Sequence, residues 1–496
     1  MKDVEKQFRN SCTEGNIEEV KTFLQSPLID INCVDYNGGT AFFHACYNGP
    51  IEIVELLLAD TRIDVNTAEN RFGATPFYTA CTVGRIEIVK LLLNDNRVDI
   101  NQANNKGGTP FFVACGKGHI EIVQLLLNIQ RTKKNQIKKK ITRGNSQNEK
   151  FSFNDKRIDI NKANKDGKTP FYCACAVGRI EIVKLLLSDE GVDVNKANNG
   201  EETPFYTACE NGHIEIVKLL LNDNRVDVNK TNKYGETPLY VRCRDGDEER
   251  SLDIVKLLLN EERVDVNKGN EEGKTPFHIA CQFGLSEIVE LLLNDERMDV
   301  NLVTNGGETG FHLAWPEYQS YVVELLLSDG RIDINQANKE GETLLHHICS
   351  DQSDESLEFL QLLLNDKRVD INKADNNGAT PLWIASESGL IKVVEYFFAS
   401  GREINFDAKD KKGRTALDIT RMPEKRLLEE IFLEDFQESF RERVRNCSKI
   451  SELLRDPCET RVRLRKQFGF AGKKKISFLF FSPKNKKLIS VIFKNR

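Results

Sequence analysis

Apolar positions along this chain fall into a two-part pattern. One copy, Asn164 to Asn195, reads NKDGKTPFYCACAVGRIEIVKLLLSDEGVDVN. Phe171, Ala174 and Cys175 lie on one face of a short helix. Ile180, Val183, Leu186 and Leu187 then give the i, i+3, i+6/i+7 face of a second, antiparallel helix. Polar residues punctuate the two. Asp166-Gly167 supplies a tight turn, Thr169 an N-cap, and Pro170 a first helical residue whose missing N–H costs nothing. Gly178 ends the first helix, and Asp193-Val194-Asn195 leads into the next turn. Helices this short are marginal in water alone, so stacking must hold them.

The pattern recurs. Its marker threonine falls at Thr40, Thr75, Thr109, Thr169, Thr203, Thr237, Thr275, Thr309, Thr343, Thr380 and Thr415, with 34 residues the commonest step. A fixed period in this range means stacked supersecondary units, each unable to bury its apolar face alone.

The strings Thr275-Pro276-Phe277-His278-Ile279-Ala280 and Thr380-Pro381-Leu382-Trp383-Ile384-Ala385 resemble the ankyrin-repeat start, Thr-Pro-Leu-His-x-Ala. The resemblance runs from about Asp3 to Arg421. It implies an all-α fold: an ankyrin-repeat α-solenoid of about twelve helix-turn-helix units with projecting β-turn fingers, plus a helical C-terminal extension. One departure concerns the family's histidine, which links neighbouring loops by hydrogen bonds. Here it is mostly aromatic (Tyr78, Phe112, Tyr172, Tyr206, Tyr240, Trp383) and survives at His278, His312 and His346. Aromatic packing is expected in place of those links.

The period divides the chain. Residues 1–36 read as an N-terminal capping repeat, 37–128 and 155–423 as ankyrin repeats, and 129–154 as a basic disordered insertion without helical periodicity. Leu428, Phe432, Phe436, Phe440 and Val444 recur every four residues, so 424–468 is expected to be a helical cap. Residues 469–496 form a basic apolar tail. Some repeats are irregular. Arg242 replaces a small alanine, Asp247 to Arg250 lengthens a turn, and Trp315-Pro316 should end a first helix early.

Charge is distributed unevenly. The formal net charge is −6, yet 424–496 carries 19 Lys+Arg against 10 Asp+Glu, and 129–154 carries 8 against 1. The repeats are therefore strongly acidic and disfavour nucleic acid along their length. No apolar run approaches a membrane-spanning length. Cys46, Cys81, Cys115, Cys175, Cys209, Cys243, Cys281 and Cys349 all sit six residues after the marker, where successive units point the same way. They read as small buried thiols, reduced in a cytoplasmic protein, with no metal-site spacing. Cys173 reads as an extra surface thiol. The Lys133–Lys140 cluster leaves nuclear targeting as a second option for the insertion.

No catalytic motif stands out. Gly469-Phe470-Ala471-Gly472-Lys473 fails the phosphate-loop spacing, His346-His347 are adjacent and point apart on a helix, and His119 and His213 read as surface residues. No catalytic, cofactor-binding or metal residue is assigned, and no cofactor is expected. The remaining reading is a monomeric, non-catalytic scaffold that binds one or more proteins. The resemblance implies that fingers and first helices line a concave binding face. The candidates are the fingertip aromatics Tyr36, Phe72 and Tyr234, with Lys117, Val177, Glu210, Arg244 and Phe283 from the first helices. The alternative is an adaptor whose tail delivers the bound client to a ligase complex or an anionic membrane.

Overall fold

The computed structural model describes residues 2–142, 158–315, 320–421 and 438–464, apart from 49, 246, 247, 352, 354, 458, 459 and 462. Among the described residues the regular elements are helices, with one isolated bridge between Val34 and Thr40. The chain forms two compact units, Met1–Ile332 and Asp333–Arg496.

The local rules read from the sequence explain each repeat. Thr169 Oγ1 accepts from the Tyr172 N–H at 3.1 Å, Pro170 opens the helix Pro170–Val177, and Gly178 closes it at φ +79°. Gly167 turns the finger at φ +80°, where a Cβ would lie 2.7 Å from the Asn199 amide nitrogen. At the same register Glu201 takes φ +61°. The buried stripe of the second helix, Ile180–Leu187, is Ile182, Val183 and Leu186. Ile180 and Leu187 are only half-buried, a one-step rotation from the face read off the sequence.

In the first unit each first helix packs on the first helices before and after it, and the second helices form a parallel series. The marker cysteines from Cys46 to Cys281 lie inside this stack, each fully buried, and burial pushes their thiols well above the ordinary range. Cys173 is not a surface thiol. It is half-buried, and its sulfur occupies the space a Cβ on Gly116 would need.

Polar side chains tie neighbouring repeats at fixed places. Asn195 Nδ2 donates to the Arg225 carbonyl at 2.6 Å while its Oδ1 accepts from the Asp227 N–H at 2.8 Å. Asn66, Asn229 and Asn267 make the same donor contact to the next loop. Arg97, Arg225, Arg263 and Arg297 reach back to Leu58, Leu187, Leu221 and Leu259, carbonyls in the last turn of the preceding second helix. A cation there satisfies carbonyls that the helix leaves open and complements its dipole.

A third tie starts from the residue ahead of the second helix. Arg179 Nε donates to the Gly116 carbonyl at 3.2 Å, His119 Nε2 lies 2.9 Å from the Thr82 carbonyl, and His213 Nε2 3.1 Å from that of Ala176. The two histidines are thus half-buried ties between repeats rather than free surface groups.

Two insertions depart from expectation. The helix Ile120–Thr142 runs on through residues read as an aperiodic basic loop. Residues 129–142 hold no Gly or Pro and are rich in Lys, Gln and Arg, good helix formers that continue the second helix. Residues 143–154 of that segment lie outside the described residues. The segment at Asp247 likewise adds to the second helix, which spans Glu248–Leu259, rather than only lengthening the turn. As expected, the first helix of the Thr309 repeat is short, Gly310–Ala314.

The second unit holds the helices Leu344–Ile348, Glu355–Asn365, Pro381–Ser388, Ile391–Ser400, Ala416–Thr420 and Glu438–Arg455. The last packs on Pro381–Ser388, Ile391–Ser400 and Ala416–Thr420, burying Cys447, Ile450 and Leu454. Of the periodic apolar residues that suggested it, Leu428, Phe432 and Phe436 lie outside the described residues, as does the 469–496 tail.

Candidate recognition face

The fingers of the first unit form a hydrogen-bonded ladder. The Asn105 N–H donates to the Phe72 carbonyl at 2.8 Å, Asn199 to Asp166 at 2.9 Å, Lys233 to Gly200 at 3.0 Å and Glu271 to Tyr234 at 3.1 Å. Each finger is braced within itself as well. Asn232 Oδ1 accepts from the backbone N–H groups of Tyr234 and Glu236, both at 3.0 Å. The backbone is thereby committed to its neighbours, and the fingertip side chains are left outside.

Of the aromatics that replace histidine, all but Phe112 make a cross-repeat bond. Tyr78, Tyr172 and Tyr206 accept through their hydroxyls from Asn104, Asn198 and Asn232 of the following finger, at 2.9, 3.0 and 3.0 Å. Trp383 Nε1 donates to the Arg414 carbonyl at 3.2 Å in the second unit. The expected exchange of hydrogen bonds for packing is therefore corrected at the tyrosines and Trp383, whose polar atoms bond the following finger. Where histidine remains, His278 Nδ1 accepts from the Thr275 N–H at 3.2 Å, and burial holds its imidazole down at about 4.

All the candidate side chains belong to the first unit. Tyr36 is 93% exposed, Phe72 53% and Tyr234 55%. Phe72 and Tyr234 share one register, each just before the positive-φ glycine (Gly73, Gly235), whereas Tyr36 stands one residue earlier relative to Gly38. The register pair is also chemically alike. The Arg71 guanidinium lies 4.9 Å from the Phe72 ring centroid, and the Lys233 ammonium 4.9 Å from that of Tyr234.

Lys117, Val177, Glu210 and Arg244 are the last residues of their first helices, and Phe283 is a C-cap. Lys117, Val177 and Phe283 are exposed, while Glu210 and Arg244 are half-buried. Arg244 Nη1 pairs with Glu236 Oε1 at 2.5 Å. Burial, and then the neighbouring Glu202, push the Glu210 carboxyl above its ordinary range. Sequence reasoning missed Tyr47, an exposed aromatic seven residues after Thr40, the position held by Glu210 and Arg244 in their repeats. Counting from the marker would have found it.

Among the described residues no group of three His, Cys, Asp or Glu could hold a metal ion, and no helix is long and apolar enough to cross a membrane. An open cleft between second helices, lined by Leu93, Ile100, Leu125 and Ile129 with Lys90 and asparagines, carries no acid–base pair.

Paired helices, bonded fingers and cross-repeat ties define an α-helical repeat protein. A family model for ankyrin repeats in three copies matches residues 63–139, 143–232, 224–304 and 311–410, and one for many copies matches 11–58. The chain belongs to the ankyrin-repeat family, whose repeats are protein–protein interaction modules.

Proposed function

We propose that the protein is a non-catalytic scaffold that binds a protein partner on the fingers and first-helix ends of the first unit. One observation carries this reading. Framework side chains are spent on ties between repeats, while Tyr36, Tyr47, Phe72, Val177, Tyr234 and Phe283 stand exposed on the finger and first-helix side. Aromatic residues are enriched at interfaces, and Tyr is among the residues that dominate their energetics. Phe72 and Tyr234 add a second point, since each rests beside a cation that pre-orders its ring and lowers the entropy lost on binding. The marker thiols from Cys46 to Cys281, buried and held protonated, offer no nucleophile at the face.

The test compares capture by the full-length protein and by its F72A/Y234A variant, with thermal unfolding as a folding control. A partner retained by the wild type and lost by a variant of unchanged stability supports the face. Equal retention removes both aromatics from it.

A further inference from the structure

In the repeats marked by Thr75, Thr109, Thr169 and Thr203, the fifth residue after the marker is alanine: Ala80, Ala114, Ala174 and Ala208. The residue ahead of the second helix is Arg85, His119, Arg179 or His213. In the last three of these repeats, that side chain bonds the carbonyl of the seventh residue after the preceding marker. In the Thr237 repeat both positions are exchanged. Arg242 stands in place of alanine, and Ser251 precedes Leu252 where Arg179 precedes Ile180.

Arg242 is 1% exposed and heads the largest fully buried side chains among the described residues. Its Nη1 donates to the Glu210 carbonyl at 3.1 Å, and Glu210 is the seventh residue after Thr203. Its Nη2 donates to Ser251 Oγ at 2.7 Å, and Nη1 also pairs with Asp245 Oδ2 at 3.0 Å. Ser251 is fully buried. The same carbonyl position is thus served from the other helix of the pair.

We infer that Arg242 is the inter-repeat tie transferred from the second helix to the first, with Ser251 as its seat. Burying a guanidinium is costly unless its donors are met. The carbonyl, the hydroxyl and one carboxylate take three of its five N–H donors, and Nε has no partner. At the junction between the Thr203 and Thr237 repeats this tie therefore rests on one buried charge, whose contacts are lost together. The carbonyl it holds belongs to Glu210, and its own helix ends in Arg244. Arg242 is accordingly a positioning residue for that part of the finger and first-helix face.

The experiment follows amide hydrogen exchange in full-length wild type, R242A and R242A/S251R, the last returning the cation to its place in the other repeats. In R242A, exchange over Pro204–Glu210 and Pro238–Arg244 should rise about tenfold, with Pro76–Val83 unchanged. The double variant should return to within roughly threefold of wild type. The inference is overturned if R242A exchanges like wild type, or if the double variant exchanges as fast as R242A. Should R242A fail to fold, the double variant decides alone: a folded protein supports the transfer and an unfolded one refutes it.

Discussion

Tyr206 and Asn232 meet across a repeat boundary, with Asn232 Nδ2 donating to the Tyr206 hydroxyl at 3.0 Å and both residues buried. The hydroxyl in turn donates to Glu236 Oε2 at 3.3 Å. Y206F keeps the ring and leaves a buried amide and carboxylate short of one partner each. We predict a loss of about 1–3 kcal/mol in urea unfolding. A midpoint equal to wild type would mean that the bond contributes nothing.

Asn195 is a two-way clamp, so its two replacements should differ. N195A removes both contacts and should cost about 1 kcal/mol, whereas N195D sets a carboxylate oxygen against the Arg225 carbonyl, now 2.6 Å from the amide nitrogen. The aspartate variant is expected to be the less stable at pH 7 and to recover toward the alanine variant near pH 4. Identical pH profiles for the two would rule out the clamp geometry.

His278 gives a pH dependence of known sign. Its folded value of about 4 lies below the ordinary 6.5, so the fold favours the neutral ring. The contribution, on the order of 3 kcal/mol, is complete above about pH 6.5 and is lost as pH falls through about 4. H278Y installs the residue that the Thr169 and Thr203 repeats carry. Between pH 7 and pH 5 it should lose about 2 kcal/mol less stability than wild type. Parallel stability curves would contradict this assignment.

Much of the repeat is legible in the sequence because it is local. The Thr169 cap, the Pro170 start and the Gly178 stop act within a few residues and behave as read. What escapes is set between repeats. Nothing near His213 indicates that its ring meets a carbonyl 37 positions back, and nothing near Tyr206 indicates that its hydroxyl faces Asn232. Both require the register of the stack. The offset of Tyr36 from Phe72 is of the same kind, since only backbone φ fixes which finger residues are equivalent. The helix through Thr142 escapes for another reason: no apolar period marks it, and helix propensity alone continues the element. Of the face, the exposure of Phe72 and Tyr234 was readable, while the burial of Glu210 and Arg244 against neighbouring charges was not.

The account rests on neighbours supplying what a single repeat lacks. Far-ultraviolet circular dichroism of a peptide spanning residues 164–198, one full repeat with its finger, tests this most directly. It should show little helix and no cooperative melt, because Phe171, Val183 and Leu186 would lose the side chains that cover them in the stack. A helical peptide with a sharp, concentration-independent melting transition would contradict it.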